Sequence, residues 1–358
     1  MPVSWEQIYT QLMDFIREHP DIKIQKKFVH IPSDTRPEFY RLFSAVRTAF
    51  IEEKLPSLIA EASNISQNYI KAEQAVTEML ELEKVTLPID LGRFTHNPID
   101  QLARSIYDHL FDLIKGRINH EIFETRSIPC IVKAFNLLCF LGYEKWMVLS
   151  LLKLAEADRS FQFLIKELTL YDVHKAGGPT KEKIPIPVES KSISFKHEPE
   201  AAFIVPDVLA HSNRLNKYIG IKSQIGKALG VTDESNEKRQ WLSSESLEFP
   251  DYGLTLVYAD DTAEDIALIS DAKQFCRPNL IIQCRVLKNW YKEDALKIIR
   301  FYHDTLKPTT GTVIVTREPV EENVTQELTE GISLITVGFD MAKLEYIVAA
   351  LKKPESKG

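Results

Sequence analysis

The sequence predicts an all-α N-terminal domain followed by an α/β domain. Three observations carry this expectation. No glycine occurs between Met1 and Asp90, and apolar residues recur there at helical spacing. A composition break follows at His174-Lys-Ala-Gly-Gly-Pro179, with further prolines at 185, 187 and 199. After Tyr252, short apolar runs of strand length alternate with helical stretches. The reading is therefore a helical domain over 1–171, a linker over 172–200 and an α/β domain over 201–358. A chain of 358 residues supports two cores more readily than one.

Composition narrows the functional classes. An apolar fraction of 44% with 27% charged residues fits a globular protein rather than a disordered one. The net charge of −7 argues against a general electrostatic DNA binder, so any contact with nucleic acid must be local. Cys130, Cys139, Cys276 and Cys284 form no Cys-x-x-Cys pair and stand in no zinc-spaced cluster with histidine, which suits free thiols in a reducing cytoplasm. Met1-Pro-Val-Ser-Trp-Glu6 lacks the basic start and apolar block of a signal peptide. No run of about eighteen uncharged apolar residues suggests a membrane span.

Ser4 begins a helix that Pro20 ends. Pro37 suits the first position of a second helix, with Phe39, Phe43, Val46 and Phe50 on one face. The pattern resumes after Pro56 and runs to about Lys84. Asn97-Pro98 starts another helix towards Lys115, and a further one is expected near Ser127-Ile-Pro129, interrupted near Gly142. Arg159–Leu168 is read as the closing helix. His109 and His120, with Asp108 and Asp112 nearby, are too far apart in the chain to share a metal on one helix, and Trp146 and Phe161 read as core aromatics.

Past the linker, Ala201–Val208 is read as a strand or docking segment. Asn213–Leu229 is read as a basic helix with Leu215, Ile219, Ile225 and Leu229 apolar. Strands follow at Leu254–Ala259 and Leu280–Val286. A helix over Glu293–Leu306, a strand at Gly311–Thr316, a helix over Val320–Leu328 and a strand at Ile332–Val337 complete the order.

Asp265 heads the apolar run before the second of these strands, and that strand carries Gln283-Cys-Arg285. Residues two apart on a strand share a face, so Gln283 and Arg285 point the same way. The order resembles the Mrr-type branch of the PD-(D/E)xK restriction-endonuclease-like superfamily, over about the last hundred residues. The resemblance implies a DNA-directed, Mg²⁺-dependent nuclease in restriction, defence or repair, with Asp265 and Gln283 as metal ligands and Arg285 in the catalytic lysine's place. Glu264, Asp260, Asp261, Glu245 or Glu248 would supply another carboxylate. Arg285, Lys288 and Lys292 would line a phosphate path, because Ala272–Lys307 holds eight Lys/Arg against three acids.

Arginine departs from that pattern. It cannot act as a base and suits phosphate binding better than positioning water. The alternative function is a catalytically silent module of the same fold that binds DNA, or a protein partner through the helical domain. The alternative fold is a doubly wound parallel sheet, with Thr262–Phe275 as a helix. No Gly-x-Gly-x-x-Gly or phosphate loop follows any strand, which speaks against a nucleotide enzyme.

Overall fold

The computed structural model of the chain describes residues 4–25, 28–170, 180–196, 204–223, 253–269, 276–291 and 295–352. It divides into two compact units, one of residues 1–70 and 89–142, the other of 71–88 and 143–358.

The first unit is helical. Helix α1 (Trp5–Glu18) opens on a capping box in which Ser4 and Gln7 satisfy each other's backbone N–H. Trp5 is fully buried, with its ring 5.4 Å from Phe50 and 5.3 Å from Phe123. The short antiparallel strands β1 (Lys23–Ile24) and β2 (Val29–His30) lead to α2 (Arg36–Lys54). Its apolar face carries Phe39, Phe43, Val46 and Phe50, as the spacing predicts. Helix α3 (Pro56–Leu80) begins after Leu55, and α4 (Ile89–His96), α5 (Pro98–Ala103) and α6 (Tyr107–Ile114) follow strand β3 (Lys84–Thr86).

Helix α7 (His120–Leu154) is longer than expected and runs unbroken through Pro129 and Gly142. The glycine is retained by packing: a Cβ there would meet Ile65 Cγ2 at 3.1 Å. His120 stacks edge-on against Trp5 and Tyr9.

The second unit is built on an eight-stranded mixed sheet in the order β12-β11-β10-β9-β8-β7-β4-β5. Its strands are β4 (Ala157–Leu170), β5 (Thr180–Glu189), β7 (Val208–Ser212), β8 (Lys217–Ser223), β9 (Leu254–Asp260), β10 (Leu280–Arg285), β11 (Gly311–Thr316) and β12 (Ile332–Thr336). From β5 to β10 every neighbouring pair is antiparallel, while β10, β11 and β12 are parallel. The parallel strands are joined by α8 (Ala295–Leu306) and α9 (Glu322–Gln326), and α10 (Glu345–Leu351) closes the described chain. The antiparallel majority excludes the doubly wound alternative. Thr262–Ala267 is turn rather than helix, and 270–275 lies outside the described residues.

Three further expectations are corrected. Arg159–Leu168 belongs to β4, because half-buried Phe161, Phe163 and Ile165 alternate with exposed Gln162, Leu164 and Lys166 at period two. The span 172–200, read as linker, contains β5 and β6 (Ser192–Ser194); β5 pairs with β4 from Phe161↔Glu189 to Leu170↔Thr180, and β6 runs parallel to β3. In place of a basic helix over Asn213–Leu229 there is a hairpin turn and β8, with 224–229 outside the described residues. Asn216 takes φ 51°, a left-handed conformation asparagine tolerates in tight turns.

Strand alternation gives the sheet two chemically different faces. Leu254, Leu256, Tyr258 and Ile281 pack with Tyr302 and Leu306 of α8. Thr255 turns the other way, towards Glu144 on α7.

Candidate functional site

The structure separates the residues that the sequence groups together. Gln283 and Arg285 do share a face: Arg285 Nη2 donates to Gln283 Oε1 at 2.9 Å, and the guanidinium lies 5.6 Å over the Trp290 ring. Both sit at the C-terminal end of β10, where Gln283 pairs with Leu254.

Asp265 lies beyond the opposite end. Strand β9 runs antiparallel away from Leu254 to Asp260, a span of about 20 Å at strand rise. Asp265 then follows in an exposed turn, where Thr262 Oγ1 donates to its Oδ2 at 2.6 Å. The acid therefore caps a turn instead of heading a strand, and it shares no metal with Gln283. Glu264, Asp260 and Asp261 lie at that same distant end, Glu245 and Glu248 fall outside the described residues, and so does Lys292. Lys288 is exposed just past the end of β10. Among the described residues no group of three or more His, Cys, Asp or Glu side chains is placed to hold a metal ion.

A different set of charged residues does converge. Strands β7 and β8 form a hairpin, and Asp207 stands directly before β7, its N–H donating to Ile221 O at 2.8 Å. That register sets Asp207 beside Lys222. Lys222 Nζ donates to Asp207 Oδ1 at 2.6 Å, while Ser223 N and Oγ donate to Oδ2 at 2.8 and 2.9 Å.

Helix α7 supplies the other half of the cluster. Lys145 Nζ donates to Ser223 Oγ at 2.5 Å and to Glu144 Oε2 at 2.7 Å, and it lies 5.1 Å over the Phe195 ring. Thr255 Oγ1 donates to Glu144 Oε1 at 3.3 Å. The side chains of Glu144 and Lys145 are 0% and 1% exposed, and those of Asp207 and Lys222 are 5% and 8% exposed. Charges this deep persist only when paired and hydrogen-bonded, and each carboxylate here has its own ammonium. Nearby, complete burial pushes the Cys284 thiol well up, and the Glu144 carboxylate adds to it. Burial likewise raises the Tyr143 phenol, which donates to Thr316 O.

The cluster sets one carboxylate at a strand threshold, a lysine on the next strand and a carboxylate on the helix behind. It lacks the acid two residues before the lysine. Gly220 occupies that position, and a Cβ there would meet Pro206 Cγ at 3.2 Å and Ile266 Cδ1 at 3.4 Å. The donor set does not fit a bound Mg²⁺. Two carboxylates remain, both already neutralised by lysines, where the ion requires several oxygen ligands in near-octahedral array.

The signal for this cluster was present in the sequence. Pro206-Asp207 followed by Gly220-Ile-Lys222 places the acid and the lysine in the chain order that the cluster brings together. Reading Asn213–Leu229 as a helix hid it. Glu144-Lys145 offered no such signal, since an adjacent acid and base on a helix usually face solvent. Comparisons of the chain with protein-family models, curated proteins and solved structures find no match.

Proposed function

We propose that the second unit is a restriction-endonuclease-like module that binds DNA and does not cut it. The observation that carries this reading is the Asp207–Lys222 pair across the β7–β8 hairpin, backed by Glu144 and Lys145, with glycine at 220. The first acid and the lysine stand in the order of a metal-dependent phosphodiester site, with glycine in place of the second acid. The occupancy differs: the lysines hold the places of cations, and an oxygen ligand is missing. Mg²⁺ would have to displace buried ammonium groups from both carboxylates, at a cost of several kcal/mol per stranded ion.

Surface charge supports DNA as the ligand. Arg277, Lys288, Lys297 and Lys307 are exposed on and around β10 and α8, in the basic stretch Ala272–Lys307.

The test combines duplex binding by fluorescence anisotropy with cleavage assays in Mg²⁺ and Mn²⁺. Wild type is expected to bind duplex DNA without added metal, more weakly as salt rises, and to leave it intact. Lys288→Glu together with Lys297→Glu is expected to weaken binding and flatten its salt dependence. Metal-dependent cleavage abolished by Asp207→Ala would make the protein an active nuclease at this site. Cleavage that survives Asp207→Ala would place the chemistry elsewhere, and absence of DNA binding would leave a protein-interaction module.

A further inference from the structure

The helical unit carries an open groove of about 420 Å³ beside the β1–β2 hairpin. Tyr40 on α2, Phe28 on the hairpin and Phe111 on α6 supply aromatic faces, with Ile31 at the base. Phe28 is 46% exposed and Tyr40 36%, so both rings present area to solvent that a folded core would ordinarily take up. Arg36 and Lys115 bring two cations, and among the described residues no carboxylate lines the groove. Arg36 Nη2 is tied to Ile31 O at 3.1 Å, which fixes one edge of the guanidinium. Lys115 Nζ lies 5.6 Å over the Phe111 ring. The hairpin sequence is itself basic, with Lys23, Lys26 and Lys27 within the five residues before Phe28.

Uncompensated cations beside exposed aromatic rings form a recognition set for a ligand with both an anion and a flat π-system. A phosphate alone would not need the rings, and an apolar ligand would not need two cations. Nucleic acid in single-stranded form offers both, since its bases are free to stack and its backbone carries one charge per nucleotide. A duplex hides its base faces and does not match the rings. We propose that this groove holds one nucleotide of a single strand, its base against Tyr40 and Phe28 and its phosphate between Arg36 and Lys115. The inference stands on the first unit's own residues and does not depend on the Asp207 cluster.

The test uses the full chain and a fluorescein-labelled oligo(dT), with anisotropy read across a salt series. Phe28→Ala is expected to weaken binding about tenfold with the salt slope unchanged, since it removes stacking and no charge. Lys115→Gln is expected to weaken it while lowering the slope by about 0.7, the value for one lost contact on a single strand. Thymidine monophosphate should displace the oligonucleotide at lower concentration than inorganic phosphate. Phe28→Ala should leave duplex affinity unchanged, which keeps this site's outcome apart from that of the duplex assay. Phe28 is exposed enough for its truncation to leave the thermal midpoint in place, so loss of binding reads as loss of contact. Equal affinity for wild type and Phe28→Ala, or equal displacement by phosphate and thymidine monophosphate, would overturn the proposal and leave only diffuse electrostatic attraction.

Discussion

Lys222 illustrates how a buried charge can be indispensable without being a net source of stability. Its ammonium is matched to Asp207, and Ser223 fills the other carboxylate oxygen. Lys222→Met removes the cation and strands the anion, and we expect a loss of about 3–5 kcal/mol in denaturant unfolding. The double variant Asp207→Asn/Lys222→Met should recover most of that loss, because the stranded charge is gone. If the double variant were as unstable as the single one, the cost would lie in packing and not in charge. Arg214 and Glu345 make a second, more exposed contact, with Arg214 Nη1 donating to Glu345 Oε2 at 2.9 Å. The guanidinium holds the Glu345 carboxyl below its usual range. A carboxyl lowered by folding adds stability above its unfolded value, about 4.3, and loses it as pH falls through the lowered one. The thermal midpoints of wild type and Glu345→Gln should therefore differ at neutral pH and converge on acidification.

Among the elements, the start of β11 is the most sharply constrained by its backbone. Gly311 has φ 111°, and a Cβ there would lie 2.6 Å from Gly331 O. Backbone atoms cannot swing aside as a side chain can. Gly311→Ala should cost at least about 2 kcal/mol by chemical denaturation, combining strain and overlap; an unchanged midpoint would contradict the register at this strand. The elements around Gly311 were legible in the sequence, since Leu254–Asp260, Leu280–Arg285, Gly311–Thr316 and Ile332–Thr336 are apolar runs of strand length and α8 presents Leu296, Ile299, Tyr302 and Leu306 at helical spacing. The hairpin β7–β8 was not. Leu215 and Ile219 stand four apart and mimic a helix, yet Ile219 and Ile221 alternate with Tyr218, Gly220 and Lys222 as a strand requires. Local pattern could not decide between the two periods; the pairing with β7 and β9 did. The same failure moved the candidate site, because Asp207 and Lys222 meet only when that segment is extended.

In the molecule as a whole, residues 180–196, within the stretch expected to be a linker, are structural. Ten register pairs join β4 to β5 on either side of Gly177-Gly178. A specific protease site inserted between those glycines should give two fragments that co-elute in gel filtration, whereas a true linker would release them. No helix among the described residues is long and apolar enough to cross a membrane. The order of the large sheet has one more consequence. Taken from β4 through β7, β8, β9, β10 and β11 to β12, each strand lies beside its successor among these seven in the chain. Loop-closure entropy then stays low at each addition, and the sheet can lengthen at a single growing edge in the direction of translation. A nascent chain that stops after β10 would present that growing edge with nothing to receive it. Until β11 emerges, the partly made protein is exposed to edge-to-edge aggregation, a hazard that belongs to its synthesis and leaves no trace in the finished fold.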